Sequence, residues 1–402
     1  MNLVRLNIDT IPLGQPLPFV LRGADGALLA QKGYVIRNRA DLASLVARGR
    51  ALCVDTDESG DSHRAYLAQL QRMLMADTSL GDIAAVQMTA AQESARRART
   101  GRALPDWPGL QLRATQLLRA PQAGGDFGGR FQALHGELAR HSEHSPDAAL
   151  LALVYLSAQE TRMYSATHAL LVSCITMVVA REMLQWPAQP VQQLGQAALS
   201  MNIAMTGLQD QLALQKEPLT AAQIAAVENH AAHSEALLRD LGVADPEWLE
   251  AVRCHHHRAP GPLAKKTPAQ QMARLIQRAD IFGARIAPRA ARWPMPVTAA
   301  MQASYYDEEH QVDEAGSALV KALGVYPPGA FVRLASHEVG VVVRRGATAT
   351  TPRVAVVANR DGMPTGEPIP RDTGMPPWKI AGPVAFKDVR VKLPLERLLP
   401  LA

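Results

Sequence analysis

Hydrophobic residues recur at intervals of three and four along the middle of the chain, from about residue 130 to residue 325. Residues at this spacing lie on one face of an α-helix, so the pattern predicts amphipathic helices packed on a shared core. Thr220 is a suitable N-cap for one of these helices, and Asp245-Pro246 is typical of the start of another. Two of the runs are Leu170, Cys174, Met177 and Val178, and Leu194, Ala197, Ala198 and Met201.

Short β-type runs separated by turn residues stand near both ends of the chain. Near the N-terminus, Asp25-Gly26 lies between two apolar runs and predicts a hairpin, and a helix is predicted near residues 38–48. Near the C-terminus, Gly, Thr and Pro turns separate three runs that begin at Phe331, Val339 and Val354. The predicted fold is mainly α, with a helical bundle core flanked by a small N-terminal β-containing module and a β-rich C-terminal segment.

Changes in residue pattern divide the chain into four predicted parts. Residues 1–58 form a small α+β module, and residues 59–129 form a helical and irregular connector. Residues 130–325 form the helical domain, and residues 326–402 form the β-rich C-terminal module. The boundary near residue 129 depends on a cluster of Pro and Gly between residues 105 and 129.

Composition excludes several classes of protein. Hydrophobic residues make up 48% and charged residues 20% of the 402 residues, which is typical of a globular protein rather than a collagenous or disordered one. The three cysteines are widely spaced and favour a reducing compartment. The longest apolar run, residues 169–180, is 12 residues long, whereas a membrane span needs about 20. The first residues lack a signal-peptide pattern, so we expect a cytoplasmic protein without a membrane span.

The charge pattern does not identify a ligand. A formal net charge of +5 permits an anionic ligand but does not require one. The Arg-rich stretch at residues 96–99 has no aromatic residues beside it for stacking on bases, so we expect no nucleic-acid partner.

Histidines are concentrated between residues 168 and 257, and Asp280 follows on the next apolar helix. Imidazole and carboxylate are ligands that suit zinc, iron or manganese. A single buried histidine is more often a core residue than a ligand, but three consecutive histidines on a helix point about 100° apart and do not suit a core. The six histidines are His168, His230, His233, His255, His256 and His257.

The order of these residues resembles the HD-GYP family, which are helical, metal-dependent phosphodiesterases that hydrolyse cyclic di-GMP. The resemblance covers about residues 150–345 and includes Gly324-Val-Tyr-Pro-Pro-Gly329, which is similar to the family's exit from its last helix. It implies a divalent transition metal (Fe, Mn or Zn). The implied metal ligands are His168, His230, His255, His256 and Asp280.

The resemblance also implies a phosphate-binding pair. Arg289 and Arg292 lie nine and twelve residues beyond Asp280, at basic positions that hold the ligand's phosphates in the family. Because they are three residues apart, we predict that both lie on one face of a helix. The implied ligand is cyclic di-GMP or another phosphorylated nucleotide.

Several positions depart from the family pattern. Where the family has its His-Asp pair, this chain has Met201 and Asn202, and Met205 stands where a Lys is usual. The Glu of the His-His-Glu run is His257, and residues 259–263 replace the Gly-Tyr-Pro loop. Tyr164 occupies a position where some members have an additional Glu ligand. A neutral Asn is a poor bridge between two metal ions, and a thioether is too soft for iron or manganese.

Three hypotheses follow from these departures. The first is a catalytically impaired signalling protein that acts as a nucleotide receptor or a scaffold for signalling proteins, with reduced or absent metal. The second is a phosphohydrolase with a single metal ion at its His-rich site. The third is a rearranged dinuclear site in which His233 and His257 are substitute ligands. The histidines could also be structural residues without a ligand, which is compatible with the first hypothesis.

Overall fold

A computed structural model describes two compact units, Met1–Leu104 and Pro105–Ala402. In the first unit, the described residues are 3–5, 13, 17, 20–30, 34–49 and 51–55. In the second unit, they are 105–122, 125–159, 161–389, 391 and 394–402. Most of the predicted connector, residues 59–104, therefore lies outside the described residues.

The first unit contains a four-stranded antiparallel sheet and one helix. The predicted hairpin is confirmed, because β2 pairs with β3 across a turn in which Gly26 has φ of +82°. The predicted helix is confirmed as α1, and Leu42 and Leu45 on it are buried in the core of this unit. The order across the sheet is β1-β4-β2-β3. The elements are β1 (Leu3–Arg5), β2 (Leu21–Arg22), β3 (Leu28–Ala30), α1 (Arg39–Gly49) and β4 (Cys53–Asp55).

The second unit is mainly helical, as predicted, and its helices begin at the predicted caps. The Thr220 side chain accepts from the backbone of Gln223, whose side chain accepts from the Thr220 backbone, which forms a capping box. Asp245 caps the helix that begins at Pro246. The helices are α2 (Trp107–Arg119), α3 (Phe127–His144), α4 (Pro146–Ser157), α5 (Tyr164–Glu182), α6 (Ala188–Ser200), α7 (Thr206–Leu214), α8 (Ala221–Asp240), α9 (Pro246–Cys254), α10 (Pro268–Ile286), α11 (Val297–Tyr305), α12 (Glu314–Leu323) and α13 (Leu395–Leu398).

Helix α5 is the centre of the bundle, packed against α2, α4, α6 and α10. Among the described residues, it is the one helix long and apolar enough to cross a bilayer by composition, with a mean hydropathy of 1.2 over 18 residues. Because 94% of that window is buried inside the protein, its apolar character is explained by the core of the bundle.

The second unit begins earlier than the predicted helical domain. Residues 107–119, which the sequence placed in the connector, form α2 and pack on α5. Trp107 and Leu110 are buried in the main core. Pro108 lies in the first turn of α2 after the cap Asp106, where the missing N–H of proline costs nothing. Pro108 therefore marks the start of a helix, while Pro105 is the first residue of the second unit.

The C-terminal β runs form a five-stranded antiparallel sheet of order β8-β7-β6-β5-β9. Alternate residues of its central strands point to opposite faces. Val341 and Ala355 belong to the core shared with the helices, whereas Val342 and Val356 belong to a second apolar cluster on the other face. The strands are β5 (Phe331–Leu334), β6 (Val339–Arg344), β7 (Arg353–Ala358), β8 (Pro364–Asp372) and β9 (Ile380–Val384).

Helix α6 packs so closely on its neighbours at Gly195 that a side chain there would clash with them. A Cβ on Gly195 would lie 2.5 Å from His135 Nε2 and 2.6 Å from Met177 Sδ. We expect Gly195→Ala to lower the free energy of unfolding by about 1–3 kcal/mol, the usual cost of overpacking a core. Gly207→Ala is the matched control, because a Cβ on Gly207 meets nothing within 4 Å. Urea unfolding of both variants tests this, and equal stability would contradict it.

Candidate metal-binding site

Helices from distant parts of the second unit bring the predicted ligands together in two groups. His230 lies on α8, while His255 and His256 follow directly after α9, which packs on α8. His168 lies on α5 and Asp280 on α10, and these two helices also pack together. The two groups differ in their geometry. They also differ in whether the Nδ1 atom of a histidine contacts a backbone carbonyl.

The first group, here called the histidine cluster, consists of His230, His255 and His256. The Nε2 atom of His230 lies 3.2 Å from Nε2 of His255 and 3.2 Å from Nε2 of His256. Two nitrogens bound to a tetrahedral zinc at about 2.0–2.1 Å lie about 3.3 Å apart. Within the described ranges, no other three His, Cys, Asp or Glu side chains converge in this way. The spacing of the cluster therefore fits a metal ion.

The other ring nitrogen of two cluster histidines fixes their tautomer. His230 Nδ1 lies 2.5 Å from the Val227 carbonyl, and His255 Nδ1 lies 2.6 Å from the Val252 carbonyl. A carbonyl oxygen can only accept, so both Nδ1 atoms must carry the proton. In the neutral rings both Nε2 lone pairs then face each other, and a cation between them relieves their repulsion. Metal-binding histidines are usually held by this kind of contact.

Burial keeps these imidazoles neutral. His255 is fully buried, and desolvation, together with the nearby His256, lowers its pKa to about 3. Desolvation also lowers the pKa of His230. A neutral imidazole is the form that binds metal, so neither ring has to lose a proton near neutral pH.

The second group is a direct pair between His168 and Asp280. His168 Nε2 lies 2.7 Å from Asp280 Oδ1, so each of these predicted ligands is already the partner of the other. Burial alone would raise the pKa of Asp280, but His168, with the more distant His256 and His255, holds it well below its usual range. His168 Nδ1 is buried and has no hydrogen-bond partner among the described residues. This nitrogen thus lacks the carbonyl contact that orients the rings of His230 and His255.

Three of the departures from the family pattern lie where α6 ends. Met201 is fully buried and belongs to the main apolar core. Asn202 is 9% exposed, and its Oδ1 has no hydrogen-bond partner among the described residues. Met205 ends the short 3₁₀ helix Ile203–Met205 and is partly buried. None of the three side chains carries a charge, so this end of α6 supplies no carboxylate.

The two proposed substitute ligands are not brought into the cluster. His233 and His257 are exposed. The His257 carbonyl accepts from Gln277, which ties the residue to α10 through its backbone. The structure therefore assembles three of the seven histidine and aspartate candidates into a cluster and two into a separate pair.

The prediction that Arg289 and Arg292 share a helix face is wrong. Helix α10 ends at Ile286, and the two arginines lie opposite each other in a tight turn, with backbone hydrogen bonds of 3.2 and 3.0 Å between them. Pro288 disfavours helix in the residue before it, which explains why α10 does not continue. The Arg292 side chain donates to the Ala284 carbonyl and is otherwise exposed.

Sequence reasoning gave no role to the contact between Arg289 and Tyr164. Arg289 Nε and Nη2 donate to the Tyr164 hydroxyl at 3.2 and 2.6 Å, and the guanidinium lies 4.9 Å from the ring centroid. The Tyr164 ring stacks on His168, with centroids 5.8 Å apart and planes 9° apart. Burial raises the pKa of Tyr164, although Arg289 opposes this, so the hydroxyl stays protonated.

A curated protein is similar to part of this chain in sequence. No family model matches the chain. Over 213 residues, the chain is 28% identical to cyclic di-GMP phosphodiesterase PA4108 of Pseudomonas aeruginosa. The match covers 52% of this chain and 51% of the relative, so the chain spans about half the length of the curated relative that it matches. Over that stretch, this chain is similar in sequence to a cyclic di-GMP phosphodiesterase.

A solved HD-GYP structure is also similar to this chain. Bd1817, an HDG"Y"P protein from Bdellovibrio bacteriovorus, has a TM-score of 0.41 and 15% sequence identity. The similarity covers 79% of this chain and 98% of Bd1817.

The resemblance seen in the sequence implies a metal ion, and the three histidines of the cluster could hold one. Three imidazoles whose Nε2 atoms lie close together suit zinc, and also suit iron. The His168–Asp280 pair offers two further donor atoms, but they bind each other. The donor set is therefore more complete at the histidine cluster than at the pair.

Proposed function

We propose that this chain is a catalytically impaired HD-GYP relative that binds a cyclic dinucleotide and acts as a receptor or scaffold in signalling. Cyclic di-GMP is the proposed ligand, since the curated relative is named a phosphodiesterase for it. One metal ion would be held by His230, His255 and His256. The observation that carries the proposal is the uncharged end of α6, where Met201 and Asn202 replace a His-Asp pair.

Loss of that carboxylate affects the reaction more than it affects binding. In a two-metal hydrolase, the ions activate a water molecule and stabilise charge on the phosphate together. A carboxylate can bind two cations at once because it is charged and has two oxygens, whereas the Asn202 amide is neutral. Because His168 is hydrogen-bonded to Asp280, these two predicted metal ligands are already satisfied within the protein. Binding of an anionic ligand requires none of these groups.

Arg289 and Arg292 support the binding half of the proposal. Their turn is joined to α7 by a 2.8 Å hydrogen bond from Ala290 to the Ala213 carbonyl. Arg289 also contacts Tyr164, which stacks on His168 of the pair. A guanidinium forms short, charge-assisted hydrogen bonds to phosphate oxygens. The contact between Arg289 and Tyr164 supports the assignment of this turn to the phosphate groups of the ligand.

Calorimetric titration with cyclic di-GMP tests the receptor proposal. We expect the intact protein to bind without hydrolysis and with an affinity that falls as salt rises, because the contacts are ionic. The double variant Arg289→Ala/Arg292→Ala should bind at least about tenfold more weakly, since hydrogen bonds to charged groups contribute about 1.5–3 kcal/mol each.

The matched control is Arg353→Ala/Arg371→Ala, which removes two arginines from the C-terminal sheet and should not change the affinity. Arg353 and Arg371 pair with Asp372 and Glu338, respectively. No binding by the intact protein, or equal binding by both double variants, would contradict the receptor proposal.

The histidine cluster favours one alternative, a phosphohydrolase with a single metal ion. Three histidines that leave a fourth position open are a ligand set of catalytic zinc, which can lower the pKa of bound water to about 7. Slow hydrolysis of cyclic di-GMP or another phosphoester that disappears in His255→Ala would favour this alternative. The dinuclear alternative with His233 and His257 has less support, because both residues are exposed and outside the cluster.

The remaining assignments are also proposals. A receptor of this kind would act on a signalling protein, and we propose that it works in the cytoplasm. The finer division of the chain at residues 58, 129 and 325 is a proposal too, and the early start of α2 argues for moving its middle boundary to residue 105.

A further inference from the structure

Tyr164 joins two parts of the proposed site that are far apart in sequence. It is the first residue of α5 and is 2% exposed. One face of its ring stacks on His168, and the Arg289 guanidinium lies 4.9 Å from its centroid. Its hydroxyl accepts hydrogen bonds from two nitrogens of Arg289. The tyrosine thus fixes the orientation of a cation that belongs to a turn 125 residues further along the chain.

The contact leaves part of the guanidinium available. Arg has five N–H donors, and Tyr164 takes two of them. Arg289 makes no other side-chain hydrogen bond among the residues that the structure describes. Because the tyrosine is neutral, it holds the side chain in place without cancelling its charge. Three donors and a full positive charge remain for a ligand.

We propose that Tyr164 is a positioning residue that holds Arg289 ready for a phosphate group of the nucleotide. The inference rests on the proposed function, which supplies the anionic ligand. An unanchored arginine loses rotamer freedom when it binds, whereas an anchored one has lost that freedom on folding. Removing the hydroxyl should therefore weaken ligand binding although Tyr164 itself contacts no phosphate.

The test is a double-mutant cycle in ligand binding. Tyr164→Phe keeps the ring and its stacking but removes the acceptor oxygen, and we expect it to weaken cyclic di-GMP binding by roughly fivefold to tenfold. In an Arg289→Ala background, Tyr164→Phe should cause no further loss, because the group that it positions is gone. Tyr326→Phe, the same change at a tyrosine on the sheet core, should bind like the intact protein.

The possible results separate this inference from the proposed function. If the intact protein does not bind, both fail. If it binds and Tyr164→Phe binds equally well, the inference fails and the receptor function stands. A loss of the same size in both backgrounds would mean that Tyr164 acts through general structure rather than through Arg289, which would also overturn the inference. Thermal unfolding of each variant confirms that binding is measured on folded protein.

Discussion

Protein purified without added metal should contain about one transition-metal ion per chain, and His255→Ala should contain almost none. The expectation follows from the three Nε2 atoms of the histidine cluster, which converge within 3.2 Å of His230. His255 is the most buried of the three, so its removal leaves two ligands and a cavity. Elemental analysis by mass spectrometry gives the stoichiometry directly.

His168→Gln is the matched control for this measurement. Glutamine can still donate to Asp280, and His168 lies outside the cluster, so the metal content should not change. Chelation should lower the melting temperature of the intact protein and of His168→Gln, but not that of His255→Ala, because a bound ion stabilises the folded state by mass action. Two ions per chain, or loss of metal in His168→Gln, would show that the pair is a metal site.

The double variant Met201→His/Asn202→Asp should acquire a second metal ion and cyclic di-GMP hydrolysis, whereas the unchanged protein should show neither. The variant restores the carboxylate and imidazole that the family pattern has at the end of α6. Aspartate has nearly the same shape as asparagine. Asn202 Oδ1 is buried and has no hydrogen-bond partner among the described residues, so an aspartate oxygen at that position would be free to bind a metal ion. We then expect Asp280 and His168 to bind the second metal ion instead of each other.

Product release in the presence of Mn²⁺ or Fe²⁺ measures the reaction, with His255→Ala as the background. Enzymes commonly turn over at about 1–10³ s⁻¹, so a rate near 1 s⁻¹ in the unchanged protein that vanishes in His255→Ala would contradict the loss of catalysis. A folded double variant that still binds one ion would show that a second metal site has been lost through more than these two residues. Asn202→Asp alone, without the imidazole, is expected to give an intermediate metal content.

The sequence was most informative where local chemistry decides the structure. The helix that starts after Thr220 and the hairpin at Asp25-Gly26 depend on contacts within a few residues, and both are present as predicted. The run of three consecutive histidines also pointed to the cluster, because two of them, His255 and His256, belong to it, although they follow α9 rather than lie on a helix. The order and spacing of the histidines indicated a resemblance to cyclic di-GMP phosphodiesterases, and the chain is similar in sequence to one of them.

Contacts between residues far apart in the chain could not be predicted from the sequence. The hydrogen bond between His168 and Asp280 joins residues 112 positions apart, and nothing in either segment distinguishes a shared metal from a direct pair. Proline was ambiguous for a different reason. Pro108 lies in the first turn of α2, whereas Pro288 follows the end of α10. The sequence alone does not distinguish a proline that starts a helix from one that ends it.

The sheet at the end of the chain limits how this protein can be divided or recombined. One face of β6 and β7 completes the same apolar core as the helices, through Val341, Val343 and Ala355. A fragment that stops near residue 326 would expose that core to water and would leave an adhesive surface prone to aggregation. In gene fusion, domain exchange or truncation, residues 105–402 should therefore be kept together as one folding unit.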